Sequence, residues 1–516
     1  MTGHELPALA PLADRPPTAD ELARFKALQA RFVRSYAHIF NDPAAPRTVV
    51  IVPSLSFDAD VIEKISGVHH YEERMLCLLL LLRMPRTHVI YVTSVPISDT
   101  IIDYYLHLLP GVPSVHARRR LTLVSCEDAS PGALTRKILE RPRVLERIRA
   151  ALGDPLAAHM TCLMVTDLER RLSLALDIPI YGCDPELLHW GSKSGSRKIF
   201  RAAQVELPFG FEDLHSPDDL ARALSELKCA RPQLQRAVVK LNDGFSGEGN
   251  ACFDLSAAPT GPALTDWIRA RLPQLEFAAR NMDWALYESK LHSMGGIVEE
   301  FIPGAHKRSP SAQFRIDPAG HCVAVSTHEQ VLGGASGQIF LGCRFPADSA
   351  YRLEIQERSA RIAQVLATKG VLGRFGVDFI SVQEATGWRH YAIEINLRKG
   401  GTTHPFLMLQ FLTDGQYNPE SGEFLTPAGN PRWYYASDNL ESERYRGLTP
   451  FDLVDIAVVN GLHFHAATGE GVAFHLIGAL SEFGKLGVVC IGQSEQRADE
   501  FYRRTVAVLD RECGGS

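Results

Sequence analysis

The sequence predicts a mixed α/β and α+β protein built from several packed units, and three observations carry that expectation. Up to about residue 182, short runs of branched apolar residues alternate with helical stretches. Over 184–410 the texture changes to glycine-rich loops and strands that carry charged residues. The length, 516 residues, exceeds what one core ordinarily holds, so roughly two to four units are expected. A composition of 45% hydrophobic and 22% charged residues is that of a soluble globular enzyme and excludes fibrous and disordered classes.

The first element is a helix over residues 18–41. Thr18 suits an N-cap, Asp20 and Glu21 fall in the first turn, and Leu22, Phe25, Leu28, Phe32 and Tyr36 recur at helical spacing. The apolar runs Val49–Val52, Val89–Thr93, Leu121–Ser125, Cys162–Val165 and Ile178–Tyr181 are short and rich in branched side chains, as buried parallel strands are. An N-terminal helical segment (1–46) and an α/β domain (47–183) follow from this. A second unit occupies 184–410. The stretch 411–449, rich in Gly, Pro, Asn and aromatics, reads as an extended connection. From Phe451 a helix, a hairpin-like segment around Gly469–Gly471 and a last helix (Gln496–Leu509) complete a small C-terminal α+β unit, 411–516.

A net charge of −6 gives no general attraction to nucleic acid or anionic lipid. The longest apolar run, Leu76–Leu82, is too short to cross a bilayer, and Pro7, Pro11, Pro16 and Pro17 interrupt the N-terminus where a secretory signal would be apolar. The ten cysteines are scattered with no CxxC, which predicts reduced thiols, a cytoplasmic location and no zinc site. His463, His465 and His475 read as packed or capping histidines, and Arg118–Arg120 as a solvated strand approach. The expected partners are small molecules, with neither nucleic acid nor membrane; a homodimer is the base-rate expectation.

Three constellations carry chemistry. In the first, an apolar strand delivers Lys240 and enters a loop with Gly244, Gly247 and Gly249. Such glycines let backbone N–H groups approach an anion, although the segment read alone is equally a turn with a surface Lys. In the second, Glu299 and Glu300 are adjacent within an apolar strand, so one faces inward unless the strand is a solvated edge. In the third, strand alternation puts Arg374, Gly376 and Asp378 on one face of Arg374–Ile380. Glu394, Asn396 and Arg398 then share one face of Tyr391–Arg398, with Ile393, Ile395 and Leu397 on the other. Side by side, the two strands present Asp378, Glu394 and Asn396 as an all-oxygen cluster of the kind magnesium takes.

The order Ser192–Lys198, Lys240 with its glycine loop, the Glu299 strand, then Asp378 and Glu394-Ile395-Asn396 followed by Gly400-Gly401-Thr402 resembles the ATP-grasp superfamily. Ser192-Lys193-Ser194-Gly195-Ser196-Arg197-Lys198, the stretch Glu394–Pro405, and Phe474–Ile477 with Gly484–Gly487 resemble the peptide ligases of pheganomycin-type biosynthesis, over about residues 47–510. The resemblance implies a pre-ATP-grasp α/β domain (47–183), an ATP-grasp core of two α+β subdomains (184–410) and a ligase-associated C-terminal domain. It implies Lys193, with Lys198 as the alternative, and Lys240 as phosphate ligands. Glu299 and the Ile302 backbone would take adenine, and Asp378, Glu394 and Asn396 would bind Mg2+, for which Mn2+ can stand in. His306 occupies the position where many relatives carry an acidic ribose ligand.

The implied activity is ATP-dependent joining of a carboxylate to an amine through an acyl phosphate, with an amino acid or short peptide as substrate. Arg374 and Arg398, on the metal-ligand faces, are the candidates to hold the substrate carboxylate and the oxyanion; each is alternatively a structural partner of an acidic neighbour. Residues 330–338 read as a lid or as an ordinary hairpin loop. The rival functions are an ATP-grasp kinase or other acyl-phosphate-forming enzyme, and a non-catalytic nucleotide-binding regulator.

Overall fold

A computed structural model describes residues 15–42, 44–56, 67–244, 249–279, 282–304, 306–333 and 339–514. Gly247 and residues 334–338 of the expected lid lie outside the described residues. The first unit is a four-stranded parallel sheet of β1 (Arg47–Val52), β2 (Thr87–Thr93), β3 (Leu121–Ser125) and β4 (Ala158–Cys162), ordered β3-β2-β1-β4. Val50, Ile51, Val52 and Val89–Val92 are fully buried, as continuous branched runs in a covered parallel sheet should be. The expected helix forms over Ala19–Asn41 with a capping box between Thr18 and Glu21.

Two expected strands differ. β4 starts four residues before the apolar run, at Ala158, because polar His159 and Thr161 are themselves buried there and hide the pattern. Ile178–Tyr181 forms only an isolated bridge, Ile180 to Met160. The Leu76–Leu82 run lies in a 3₁₀ helix, Val68–Arg83, whose leucines are buried on every side but one.

The second sheet is antiparallel: β5 (Gly210–Leu214), β6 (Arg236–Leu241), β7 (Asn250–Asp254), β8 (Glu276–Phe277) and β9 (Gly296–Glu300), ordered β5-β9-β6-β7-β8. Leu220, Leu224 and Leu227 of the helix Pro217–Ala230 back it. The third sheet contains β10 (Lys307–Arg308), β11 (Pro310–Ile316), β12 (Cys322–Gly333), β13 (Ile339–Phe345), β14 (Gly373–Glu384) and β15 (Gly387–Asn396). Ile355, Ile362 and Leu366 of the helix Arg352–Thr368 pack on its apolar face.

The stretch expected to be an extended connection is structured. A hairpin of β16 (Gln416–Asn418) and β17 (Glu423–Leu425) precedes β18 (Trp433–Glu441), which pairs with β13 on one side and with β20 (Lys485–Gly492) on the other. With β19 (Gly471–His475) on β20, the third sheet reaches nine strands, β10-β14-β11-β12-β13-β18-β20-β19 with β15 on β14. Apart from the β16–β17 hairpin, the named strands of the C-terminal unit therefore all join the third sheet. One apolar cluster joins Leu76–Leu80, Phe406–Leu409 and Val488–Ile491 across all three regions of the chain.

At the C-terminal end of β2, the Glu72 carboxylate accepts from Ser94 N and Oγ, both at 2.6 Å, and Lys137 Nζ donates to the same Ser94 Oγ at 3.0 Å. Burial pushes the Glu72 carboxyl up to about 7, outweighing those hydrogen bonds. The folded pKa lies above the unfolded value, so the associated stability is present below about pH 4.3 and is lost as pH rises through 7. Urea denaturation of Glu72→Gln should show that decline, about 3 kcal/mol, flattened between pH 5 and 8. An unchanged slope would place the titration elsewhere.

Candidate active site

A cleft of about 1140 Å³ separates β6, β7 and β9 from the strands of the third sheet. The helix Lys193–Ala202 contacts strands of both sheets through its polar face. Ser192 caps the helix by accepting from Gly195 N at 3.1 Å, and a Cβ on Gly195 would lie 1.9 Å from His189 O, so only glycine fits that turn. Lys193, Ser196 and Arg197 lie on one helical face. Lys193 Nζ reaches Glu394 Oε1 at 3.3 Å, Ser196 Oγ accepts from Ile395 N at 3.0 Å, and Arg197 Nη1 reaches Glu299 Oε2 at 3.3 Å. One helix face thus engages β15 and β9 together. Asn242 adds a brace: its Oδ1 accepts from Ser194 N at 2.9 Å and its Nδ2 donates to Met294 O at 2.8 Å.

The structure separates the two phosphate-lysine candidates. Lys193 is 7% exposed and reaches Glu394, whereas Lys198 is paired with Asp213 at 2.7 Å on the surface. Lys240 is buried and ion-paired with Glu299, which is only 3% exposed. Glu299 is therefore the inward carboxylate, held by two cations, and each of its oxygens keeps a second lone-pair direction. Glu300 accepts from Phe209 N at 2.8 Å. The glycine loop closes through Leu241 N donating to Gly249 O at 3.0 Å, with Gly244 packed against Gly249 N. Ile302 O accepts from Lys307 Nζ at 3.1 Å.

Asp378 and Glu394 are direct cross-strand partners, as are Gly376 and Asn396. A bulge follows at Asp378/Phe379, where the partner of Phe379 is Ala392, leaving Ile393 as the extra residue. Strict alternation had placed Ile393 with Ile395 in the core. The bulge instead turns it into the cleft, where it joins Ile302 and Ile380 in a small apolar cluster. Asp378 accepts from Gln330 Nε2 at 2.9 Å and Asn396 Nδ2 at 3.0 Å, and Arg398 donates to Asn396 Oδ1. Burial and then the neighbouring Glu394 carboxylate push Asp378 up to about 7. Burial alone would raise Glu394 too, but the Lys193, Arg398 and Lys240 cations hold it below the usual carboxylate range. Two facing carboxylates and an amide, with no nitrogen or sulfur donor among them, fit a hard divalent cation.

The two arginine candidates part company. Arg398 acts on Asp378 and Glu394, while Arg374 lies four residues up β14 beside Arg315, Tyr181 and Cys77. Sequence reasoning missed Arg197, Asn242, Gln330 and Lys399; for Arg197, helical spacing from Lys193 was the available signal. It also missed the partners of His475. Its Nε2 lies 2.6 Å from Asp438 Oδ1 and 3.0 Å from His404 Nε2, and Arg74 pairs with the other Asp438 oxygen. This buried group fastens the start of the helix Thr403–Thr413 to β18 and β19.

Two family profiles match the chain: "IQCH-like, ATP-grasp" over residues 185–271 and 263–420, and "PGM1 C-terminal domain" over 452–505. The L-propargylglycine–L-glutamate ligase of Streptantibioticus cattleyicolor is 31% identical over 482 residues, 91% of this chain and 95% of that protein. IQ motif-containing protein H of Danio rerio is 23% identical over 79% of this chain and 42% of its own length. Among solved structures, a biotin carboxylase from Campylobacter jejuni has a TM-score of 0.54 at 12% identity, covering 92% of this chain and 96% of its own. The biotin carboxylase domain of the Hydrogenobacter thermophilus 2-oxoglutarate carboxylase has a TM-score of 0.54 at 11% identity, covering 91% and 94%.

Glu299→Ala should lower stability by about 3–5 kcal/mol, because it leaves Lys240 buried without a counter-charge and Arg197 with Glu212 alone. Lys198→Ala, which removes an exposed pair, should cost less than about 1 kcal/mol. Urea midpoints of the two variants measure the contrast, and equal losses would contradict the buried network.

Proposed function

This chain belongs to the ATP-grasp family of carboxylate–amine ligases, and from that premise we propose that it activates a carboxylate of an amino acid or short peptide with ATP and joins it to an amine. The observation that carries this reading is the cross-strand Asp378–Glu394 pair, with the Lys193 ammonium on Glu394 and the Lys240 charge beside it. The relative's printed name, with two amino acids joined, supports the substrate class. Residues 184–410 bind nucleotide and metal in this reading, while 47–183 and 411–516 shape the substrate side.

Lys193 and Lys240 neutralise phosphate oxygens, and the backbone beside Gly244 and Gly249 lies close enough to Lys240 to serve the same anion. The adenine ring lies among Ile302, Ile380 and Ile393, its amino group donating to Glu299 and its edge read by the Ile302 backbone. Asp378, Glu394 and Asn396 hold Mg2+, or Mn2+ in its place, which supplies charge neutralisation across the phosphates when bound. Arg398, beside Asn396, orients the substrate carboxylate and later the oxyanion. A carboxylate oxygen bonds to the γ-phosphorus as its bond to the β,γ-bridging oxygen breaks and ADP leaves. The amine nitrogen then bonds to the carbonyl carbon, loses a proton, and inorganic phosphate departs with its C–O bond. Such transfer rests on positioning and electrostatics rather than on covalent help from the protein.

ADP formation with magnesium-ATP should require both an amino acid or peptide acid and an amine. It should fall at least about 100-fold in Glu394→Ala and Lys193→Ala, with Lys198→Ala close to wild type. ADP formed from the acid without an amine, together with a stable phosphorylated product, would favour the kinase reading instead.

A further inference from the structure

Among the described residues, three cations, two of them on the third sheet and one just beyond β15, have no carboxylate partner. Arg315 of β11 and Arg374 of β14 are direct cross-strand partners, so their side chains leave the same face with Cβ atoms about 5 Å apart. That face also carries Asp378, while the opposite one packs Phe314 and Phe375 into the core. Like charges directly opposite in an antiparallel pair are destabilising. Arg315 and Arg374 are both only partly exposed, and Arg315 Nε is buried with no hydrogen-bond partner. The groups acting on Arg374 are Arg315, Tyr181 and Cys77, none of them a carboxylate.

Lys399 completes the set. Its backbone N donates to Leu163 O at 2.9 Å and its Nζ to Cys162 O, anchoring it at the end of β4. Burial and then the Arg374 charge bring its ammonium down to about 8, while the Cys162 and Cys77 thiols beside it oppose that. Among the described residues no carboxylate pairs with Arg315, Arg374 or Lys399, although the buried Lys193, Arg197 and Lys240 all have one. The position is distinct from the reacting end: Arg374 and Asp378 are four residues apart on one strand, about 13 Å. Gly376 lies between them, under the Gln313 side chain.

We propose that Arg315, Arg374 and Lys399 form a subsite for a substrate carboxylate that the reaction leaves intact, so that one of the joined substrates must carry a second, unreacted carboxylate. This rests on the ligase reading and deepens it to a substrate class, acids or amines bearing a free carboxylate beyond the reacting group. The paired guanidinium forks suit a carboxylate bidentately, and its charge removes the repulsion the empty pair bears. The unreacted carboxylate can come from the acid or from the amine.

The test uses full-length protein, wild type and the Arg315→Met, Arg374→Met and double variants. Without ligand, Arg315→Met should raise the urea midpoint, because it relieves a like-charge pair; a lower midpoint would show a structural partner and overturn the proposal. In turnover, each acid is compared with its analogue amidated at the non-reacting carboxylate, and each amino acid amine with its carboxamide. In wild type one of these two maskings should lower kcat/KM by about 10- to 100-fold, which identifies the source, and the double variant should lose that discrimination. Discrimination retained in the double variant overturns the subsite. Should no acid–amine pair release ADP, the ligase reading fails by itself. Thermal shift with glutarate against its monoamide then still decides the subsite: stabilisation of wild type alone by glutarate supports it, and equal shifts in wild type and double variant overturn it.

Discussion

The constraint on which the rest of the structure depends is that buried charge must be matched. Lys193, Arg197 and Lys240 are buried where the second and third sheets meet, and Glu299 and Glu394 supply the carboxylates that face them. The helix Lys193–Ala202 carries two of these cations one turn apart, and through them it ties β9 of one sheet to β15 of the other. The relative position of two sheets with separate apolar cores is thus set by a polar contact. Such a contact can exchange partners when phosphate arrives, whereas a packed apolar interface could not.

The same strands show how a small irregularity changes chemistry. In a regular β14–β15 ladder Ile393 would sit in the core. The bulge inserts it into the cleft with Ile302 and Ile380, creating an apolar slot immediately beside the acidic pair. One extra residue thus sets an apolar wall directly beside hard oxygen donors.

Much of this was legible in the sequence. The capped first helix, three of the parallel strands and the opposition of Asp378 to Glu394 follow from periodicity and alternation; alternation left open which of Glu299 and Glu300 faces inward, and the family resemblance pointed to Glu299. What escaped has physical causes. β4 was displaced because His159 and Thr161 are buried polar residues, and the Ile393 bulge cannot be seen in a pattern of period two. β18 was hidden by the Gly, Pro and Asn that surround it. Arg315 opposite Arg374, and His404 with Asp438 and His475, are set by pairing between segments distant in sequence, which no local pattern contains. Lys193 could not be separated from Lys198 because both lie in one short segment; the side of the helix each occupies makes the distinction.

The sheet order bears on how the chain is made. β13 takes β18 as its neighbour, and β18 in turn needs β20. When β13 leaves the ribosome, its partner is still about 90 residues from synthesis, and the sheet is complete only after about 150. At typical elongation rates that interval is roughly 5–30 s, during which an open strand edge next to the nucleotide cleft is a template for pairing with a neighbouring chain. The C-terminal strands therefore act as the late closure of the sheet that carries Asp378, Glu394 and Asn396. A ribosome stalled before β18 would release a chain with its nucleotide residues present and its sheet edge unprotected.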